Sequence, residues 1–205
     1  MENEFLLKYS REKNKEIRKN AEERFIPIVR PFSEDIIDLI ITLKKPKKVL
    51  EIGTAIGFST MNIYRQMEKY TTPYITTIER HEKRRDEALE NFKKNNMEIN
   101  LIHGDAIEEI EKIKEKFDLI FLDGPKAQYL NYYLKLIEML EKEGIIIIDN
   151  IMHNGDIAKD RYEVKRRDRT VHTRMRNFLQ YLKNDERVEL TLIPAEDTLA
   201  ILQKR

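Results

Sequence analysis

The stretch that decides the fold is "KVLEIGTAIGFST", residues Lys48 to Thr60. An apolar run ends in an acid, Glu51, and two glycines follow it at Gly53 and Gly57. An apolar run bounded by glycines predicts a buried strand, and the residues after the second glycine predict a helix. We therefore expect a strand–turn–helix unit whose glycines permit close backbone approach and whose helix offers N–H groups to a ligand.

The same alternation of apolar strands and helical segments continues along the chain. The predicted strands are "KVLEI", "YITTIE", "INLIHG", "FDLIFLD" and "GIIIIDN", followed after a helix over 171–183 by "RVELTLIP" and "DTLAILQK". Continuous apolar strands separated by helices are typical of a parallel sheet that is buried on both faces. The last two strands are joined by a short turn, so we expect an α/β fold whose seven-stranded, mostly parallel sheet closes with an antiparallel hairpin.

Length and composition favour one domain over residues 1–205, with 1–30 as an N-terminal helical extension. Ahead of the first strand, "SEDIIDLIITL" predicts a helix with Ser33 as its N-cap. The chain has no cysteine, which excludes disulfides, thiolate metal sites and cysteine nucleophiles. Neither a signal peptide nor a membrane-spanning run is found, so we expect a cytoplasmic protein.

Acidic side chains follow all five strands that are predicted to be parallel. They are Glu51, Glu79, Asp105, Asp123 and Asp149. In open α/β sheets, ligands bind at the carboxyl ends of the strands. This regular placement of acids is the main functional signal in the sequence.

The first three acids favour an adenosine-containing cofactor that lacks a pyrophosphate. The spacing G-T-A-I-G differs from the G-x-G-x-x-G of dinucleotide folds, and Glu51 suits a positive group such as an amino acid or a sulfonium. Glu79 is placed to accept both ribose hydroxyls, and Asp105 to meet an adenine amino group. This set describes S-adenosylmethionine better than NAD; the alternative is that each acid only caps the helix that follows it.

The last two strand ends supply oxygen ligands for a metal ion. Asp123, Asp149 and Asn150 are hard donors without a thiolate or an obvious imidazole, which favours magnesium over zinc. The alternative is that the pairs "DG" and "DN" are ordinary turns. A metal that binds an acceptor hydroxyl would lower its pKa and fix its direction for in-line methyl transfer.

Five motifs taken together, "LEIGTAIGFST", "TTIE", "GDA", "FDLIFLDGPKAQY" and "EGIIIIDN", resemble those of the cation-dependent class I O-methyltransferases, which include the catechol and caffeoyl-CoA O-methyltransferases. Within that group the chain is most similar to the bacterial tRNA 5-hydroxyuridine methyltransferases. The resemblance implies a Rossmann-like class I methyltransferase fold, S-adenosylmethionine as cofactor, Mg²⁺ or Mn²⁺ as metal, and a homodimer.

The resemblance also implies roles for single residues. Lys126 matches the catalytic lysine that takes the proton from the acceptor, and Asp123, Asp149 and Asn150 match the metal ligands. The residues implied for cofactor binding are Glu51, Gly53, Ala55, Ser59, Glu79, Asp105, Ala106 and Asp123. The chain departs from the plant enzymes at Gly124 and Pro125, and in lacking an N-terminal insertion for a CoA thioester, which disfavours a CoA-linked acceptor.

A basic stretch follows the predicted metal ligands. Residues 159–176, "KDRYEVKRRDRTVHTRMR", contain eight Lys or Arg and three Asp or Glu, although the net charge of the whole chain is only +1. The arginines suit bidentate phosphate contacts, and Tyr162 and His172 suit stacking on a base. The residues predicted to bind RNA are Arg166, Arg167, Arg169 and Arg174. A solvated helix face is the alternative.

These observations predict an S-adenosylmethionine-dependent and metal-dependent O-methyltransferase. Its expected substrate is 5-hydroxyuridine at the wobble position of the tRNA anticodon loop, which it would convert to 5-methoxyuridine. A small catechol-like phenol is the alternative acceptor, because its adjacent hydroxyls could chelate a metal ion as the 5-hydroxyl and 4-carbonyl of 5-hydroxyuridine could. A non-catalytic RNA-binding protein and a nucleotide-dependent dehydrogenase are the remaining alternatives.

Overall fold

The computed structural model describes residues 14–195 and 197–205. The chain divides into two compact units, the first ending at Gly104 and the second spanning Asp105–Arg205. The single domain expected over 1–205 stays a prediction. Residues 1–13 of the expected helical extension lie outside the described residues, and the described part of it contains one helix, α1 (Lys15–Glu23).

The first unit alternates helices and parallel strands. Its further elements are α2 (Pro31–Lys44), β1 (Lys48–Ile52), α3 (Phe58–Met67), β2 (Tyr74–Glu79), α4 (Glu82–Lys94) and β3 (Asn100–His103). The strand order is β3-β2-β1, and both neighbouring pairs are parallel. Each predicted strand of this unit is confirmed, and β2 has the same residues as the predicted "YITTIE".

The start of α2 differs from the prediction. The helix begins at Pro31 with Arg30 as its N-cap, so Ser33 lies inside the first turn, where it is buried. Proline fixes φ near the helical value and needs no hydrogen-bond acceptor at the first helical position. The assignment of Ser33 as the cap was therefore wrong, because Pro31 starts the helix two residues earlier.

The second unit contains the remaining parallel strands and the antiparallel hairpin. Its elements are α5 (Ala106–Lys112), β4 (Phe117–Leu122), α6 (Tyr129–Met139), β5 (Leu140–Ile148), α7 (Arg169–Lys183), β6 (Val188–Ile193) and β7 (Leu199–Lys204), with short 3₁₀ turns at Lys126–Gln128, Asp156–Ala158 and Arg166–Asp168. The order is β4-β5-β7-β6, in which β4 and β5 are parallel while β7 is antiparallel to both of its neighbours.

Together the strands belong to one seven-stranded mixed sheet, which confirms the predicted α/β fold with its C-terminal antiparallel hairpin. Strand β5 contributes the fully buried residues Ile146, Ile147 and Ile148, as expected for a strand covered on both faces. Among the helices that the structure describes, none combines the length and apolar character that a bilayer-spanning segment requires.

Candidate active site

The turn between β1 and α3 has a backbone that favours glycine. Gly53 and Gly57 have φ values of 101° and 84°, and Ala55 between them also lies in the left-handed region at 47°. The amides of Gly53 and Thr54 both donate to the carbonyl of Ile78, at 3.1 and 3.3 Å. The turn is thus fixed to the end of strand β2.

Gly57 is required for packing inside the first unit. A Cβ atom at this position would lie 2.5 Å from Cε1 of Phe92 and 3.4 Å from Cβ of Ala88, both on α4. The sequence predicted that the glycines permit close approach of a ligand. At Gly57 the close approach shown by the structure is that of an aromatic ring.

Glu51 lies at the end of β1 and is fully buried. Its Oε1 accepts a hydrogen bond from Ser59 Oγ at 2.5 Å, and its Oε2 accepts from Thr77 Oγ1 at 2.6 Å and also from Thr60 Oγ1. Because Thr77 donates to Glu51, the 2.6 Å contact between Thr54 Oγ1 and Thr77 Oγ1 has Thr54 as its donor. Hydroxyl groups of the protein therefore satisfy both carboxylate oxygens.

Glu79 is buried at the end of β2 and also supports the glycine turn. Its Oε2 accepts from the amide of Ala55 at 2.8 Å, and its Oε1 accepts from the amide of His81 at 2.7 Å. The carboxylate thereby holds Ala55 in its left-handed conformation.

Asp105 is the N-cap of α5 in the second unit. Its Oδ1 accepts from the amide of Ile107 at 3.0 Å, and Ala106 next to it is buried. The cap, which was the alternative interpretation of this acid, is confirmed, and its contact with an adenine stays a prediction.

The structure therefore groups the predicted cofactor residues by unit. Five of them lie in the first unit, in the glycine turn or on the strands and helix next to it: Glu51, Gly53, Ala55, Ser59 and Glu79. The other three belong to the second unit: Asp105, Ala106 and Asp123. Their direct roles in cofactor binding stay predictions.

The three predicted metal ligands come together in the second unit. Strands β4 and β5 are parallel neighbours with Leu122 opposite Ile148, so Asp123 and Asp149 leave the same edge of the sheet. The side chain of Asn150 is close enough to Asp123 to lower the pKa of that carboxyl, and the backbone amide of Asn150 donates to Asp149 Oδ1 at 2.8 Å. Residues that are distant in the sequence thus form one oxygen-rich cluster.

The electrostatics of this cluster are unfavourable without a cation. Asp149 is only 2% exposed, and its Oδ2 has no hydrogen-bond partner among the described residues. Burial, together with the negative charge of Asp123, raises the pKa of Asp149 to about 7. Burial also raises the pKa of Asp123, while the charge of Lys126 acts in the opposite direction.

The donor set fits a hard divalent cation. Within residues 14–195 and 197–205, no three or more His, Cys, Asp or Glu side chains form a group that could hold a metal ion. The predicted cluster is of a different kind, since it has two carboxylates and the carboxamide of Asn150. Its donors are all oxygens, and the buried oxygen of Asp149 without a partner is one that a cation would satisfy.

Lys126 starts the 3₁₀ turn that follows β4, and its charge reaches both Asp123 and Asp149. Its Nζ lies 5.9 Å from the ring centroid of Tyr129. The hydroxyl of Tyr129 is buried and donates to the carbonyl of Asp149 at 3.3 Å. Burial and the neighbouring carboxylates raise the pKa of Tyr129, so this phenol stays protonated and fixes the backbone of Asp149.

The predicted RNA-binding arginines differ in their contacts. Arg166 and Arg167 are exposed on a 3₁₀ turn. Arg169 donates to the carbonyls of Val164 and Tyr162, at 3.1 and 3.2 Å, so it also stabilises the loop before α7.

Arg174 on α7 lies beside Lys126. Its Nη1 donates to the carbonyl of Ala127 at 3.1 Å, one residue after Lys126. Arg174 and Lys126 line a groove whose other members are Ala127, Gln128, Leu130, Asn131 and Asn177. The groove has two cations and three carboxamides and contains no acid, so it favours an anionic ligand.

Two kinds of supporting residue were not predicted from the sequence. Thr60 and Thr77 carry the hydroxyls that hold Glu51; "TTIE" was noticed only for its terminal acid, although an alternating polar position in a buried strand is a usable signal. Asp197 in the turn between β6 and β7 contacts the segment after Asn150, and no local pattern indicates it.

Comparisons with known proteins show the family to which the chain belongs. Residues 7–205 match the family model described as O-methyltransferase. A caffeoyl-CoA O-methyltransferase of Stellaria longipes is 24% identical, with 93% of this chain and 82% of that protein covered.

Two solved structures are similar over most of the chain. One is a candidate caffeoyl-CoA O-methyltransferase of Staphylococcus aureus, at 28% identity and a TM-score of 0.89, covering 98% of this chain and 96% of the other. The other is the methyltransferase PaMTH1 of Podospora anserina with S-adenosylhomocysteine (SAH) bound, at 25% identity and a TM-score of 0.78, covering 87% and 80%. Since the family model spans nearly the whole sequence, the predicted resemblance to the O-methyltransferases is confirmed, and the chain belongs to the O-methyltransferase family. Its particular similarity to the tRNA 5-hydroxyuridine methyltransferases stays a prediction.

Proposed function

We propose that this O-methyltransferase transfers a methyl group from S-adenosylmethionine to a hydroxyl of an acceptor that is held beside a divalent cation, Mg²⁺ or Mn²⁺. The observation that carries the proposal is the buried Oδ2 of Asp149, which has no hydrogen-bond partner in the described part of the chain and lies next to a second carboxylate. A buried carboxylate without a hydrogen-bond partner is energetically unfavourable unless a cation compensates its charge.

Each residue of the cluster has a separate role in this proposal. Asp123, Asp149 and Asn150 would hold the cation, which when bound lowers the pKa of an acceptor hydroxyl and directs it. As the neutral amine, Lys126 Nζ would take the proton that the hydroxyl loses as its oxygen bonds to the methyl carbon and the carbon–sulfur bond breaks. Tyr129 holds the backbone of Asp149 through its hydroxyl.

S-Adenosylmethionine as donor is supported by the family and by the bound SAH of PaMTH1, since SAH is the product that S-adenosylmethionine leaves after methyl transfer. The turn at Gly53 and Ala55 has positive φ values, and Glu79 accepts a hydrogen bond from the amide of Ala55. We propose that this turn of the first unit contacts the cofactor; for Asp105 and Ala106 of the second unit we propose the role near the adenine that the sequence predicts.

We propose 5-hydroxyuridine at the tRNA wobble position as the acceptor. The support is the arrangement of cations next to Lys126: Arg174 contacts the same turn, and the groove that they line contains no acid. Exposed Arg166 and Arg167 lie just before the same helix, α7. A polyanion would therefore find basic side chains beside the proposed general base.

A small catechol-like phenol is the second candidate acceptor. The observation that favours it is the similarity to a caffeoyl-CoA O-methyltransferase, because a caffeoyl group is itself a catechol. Both candidates offer two neighbouring oxygens to one cation, so residues outside the cluster must distinguish them.

A chelation experiment tests the reaction class. The purified protein is treated with EDTA, dialysed, and assayed for methyl transfer with and without added Mg²⁺ or Mn²⁺. We expect activity to disappear on chelation and to return with either ion. Full activity in the stripped protein would contradict the metal-dependent mechanism.

A charge experiment distinguishes the two acceptors. The double variant Arg166→Ala with Arg167→Ala leaves Arg169 in place, because Arg169 holds the loop. We expect a loss of roughly 10-fold or more in kcat/KM for tRNA and little change for a small catechol. The control, Lys142→Ala with Lys183→Ala, removes the same charge from exposed positions elsewhere in the second unit. Equal effects of the two double variants on tRNA would contradict the RNA proposal.

Two further expectations stay proposals: that the enzyme is a homodimer and that it acts in the cytoplasm. Light scattering on the purified protein tests the first, and fractionation of cells tests the second. Nucleoside mass spectrometry of tRNA from a deletion strain tests the substrate, since 5-hydroxyuridine should accumulate there.

A further inference from the structure

The turn between β6 and β7 holds the chain segment that follows the proposed metal ligands. Asp197 in this turn is only 5% exposed, and its Oδ1 accepts from the amide of Asn154 at 2.7 Å. Its carbonyl oxygen accepts from the amide of Met152 at 3.2 Å, and the next carbonyl, of Thr198, accepts from Ile151 at 3.1 Å. Three amides of one segment are thus bound by two consecutive residues.

The segment that these bonds hold has an unfavourable backbone. Asn150, His153 and Asn154 all have positive φ values, of 57°, 48° and 57°. Such conformations cost free energy outside glycine and persist where surrounding contacts enforce them. The contact of Asp197 with Asn154 is made by a side chain, so a substitution can remove it without altering the backbone contacts.

We propose that Asp197 is a positioning residue for the metal site: its carboxylate fixes the strained segment 150–154 so that Asn150 stays directed toward Asp123. This inference rests on the proposed function, because it concerns the same cluster. Asp197 is separated from Asn150 by 47 positions in the sequence, and it is not one of the proposed ligands.

The carboxylate of Asp197 has two separable properties. It accepts the Asn154 amide, and its negative charge reaches Asp149. The variant Asp197→Asn keeps an acceptor oxygen and removes the charge, whereas Asp197→Ala removes both. If positioning is its role, the acceptor matters more than the charge.

The test is a calorimetric titration of the purified full-length protein with Mn²⁺, without methyl donor or acceptor. Outer residues that orient metal ligands typically change metal affinity by 10–100-fold. We expect Asp197→Ala to weaken Mn²⁺ binding by about 10-fold or more, and Asp197→Asn to stay within about threefold of wild type.

The matched control is Asp185→Ala. Asp185 is another poorly exposed carboxylate of the second unit, and it is bound by Tyr133 Oη and Arg187 Nη2, both at 2.7 Å. Its loss should lower stability and leave the Mn²⁺ affinity unchanged. An equal weakening by Asp185→Ala would show that Asp197 acts only through general stability and would overturn the inference.

Amide hydrogen exchange of residues 150–158 gives a readout that needs no metal. We expect faster exchange in Asp197→Ala and near-normal exchange in Asp197→Asn. If wild type binds Mn²⁺ and Asp197→Ala binds it with the same affinity, the positioning role alone is overturned. The same conclusion follows if Asp197→Ala and Asp197→Asn lose Mn²⁺ affinity equally. Absence of Mn²⁺ binding by wild type would overturn the proposed function together with this inference.

Discussion

The glycine turn of the first unit and the oxygen cluster of the second unit each lie after a parallel strand, and each contains a buried carboxylate. They differ in what surrounds that carboxylate. Three hydroxyl groups donate to Glu51, and both of its oxygens are satisfied. Asp149 accepts the amide of Asn150 on one oxygen, while its other oxygen has no partner among the described residues.

Glu51 and Asp149 are similarly buried, but this difference indicates a structural role for Glu51 and a role in cation binding for Asp149. A satisfied carboxylate such as Glu51 stabilises the fold, because removing it leaves three hydroxyls without an acceptor. An unsatisfied carboxylate such as Asp149 costs stability until a cation arrives. Substitutions of the two should therefore have opposite consequences for folding and for activity.

The largest expected effect comes from Asp149→Asn, which keeps the shape of the side chain and removes its charge. We expect kcat/KM for methyl transfer to fall by about 100-fold or more, because the proposed cation loses a charged ligand. The unfolding free energy without metal should stay equal to that of wild type or rise, since a costly buried charge is gone. Steady-state kinetics and urea denaturation measure the two quantities. A variant that unfolds more easily but remains fully active would reverse the assignment.

The same isosteric change at the other region, Glu51→Gln, should act mainly on stability. Hydrogen bonds to a buried charged group are worth about 1.5–3 kcal/mol each, so we expect a loss of about 2 kcal/mol after the hydroxyls rearrange. For a chain of this size, Tm should fall by roughly 4–8 °C. Differential scanning calorimetry of Glu51→Gln beside Asp149→Asn makes the comparison direct. Equal values of Tm for the two variants would contradict the different roles of Glu51 and Asp149.

A third comparison uses two glycines, one in each unit, that have nearly the same backbone. Gly57 and Gly155 have φ values of 84° and 82°, but a Cβ would collide with Phe92 at Gly57 and meets nothing within 4 Å at Gly155. Alanine at Gly155 should cost only the left-handed conformation, about 1 kcal/mol, while at Gly57 overpacking adds about 1.5 kcal/mol. Denaturant titration of both variants isolates that difference. If both alanine variants lose the same free energy, the ring of Phe92 is not the constraint.

Sequence periodicity predicted the strands well because burial on both faces leaves a direct signal. Strand β2 was predicted within its observed limits, whereas β5 begins at Leu140, four residues before the predicted Gly144. The polar residues 141–143 lie at an irregularity of the ladder, between Leu140 and Ile145, and lack the apolar pattern on which the prediction relied. Ser33 was misassigned because Pro31 provides a stronger helix start than a hydroxyl two positions later.

The candidate site could be predicted only in part, because some of its contacts join residues that are distant in the sequence. Asp123, Asp149 and Asn150 follow strand ends, and parallel strands bring such residues to one edge of a sheet. The contacts of Thr77 with Glu51 and of Asp197 with Asn154 join positions 26 and 43 residues apart. Pairings of this kind depend on the tertiary structure, and no local pattern encodes them.

The smallest expected effect is a pH dependence that belongs to Asp149. Its pKa is about 7 in the folded protein against an ordinary value of 3.8, because burial and Asp123 favour the protonated form. Between these values the folded state binds more protons than the unfolded state, so this contribution to stability is present below about pH 4 and is lost as pH rises to about 7. Asp185 has the opposite sign: Arg187 and Tyr133 lower its pKa to about 2, and its contribution disappears only as pH falls below about 4.

A divalent cation competes with the proton on Asp149, so the two effects are linked. We expect the increase in Tm caused by Mg²⁺ to be larger at about pH 8 than at about pH 5.5, because the carboxylate is charged only at the higher pH. Calorimetry with and without Mg²⁺ measures this increment, and Asp149→Asn should abolish its pH dependence while leaving the acid transition of Asp185 in place. A Mg²⁺ increment that is constant across this range would mean that no group with the raised pKa of Asp149 binds the ion. The unsatisfied oxygen would then be a cost of the fold, and the contrast with Glu51 would lose its functional meaning.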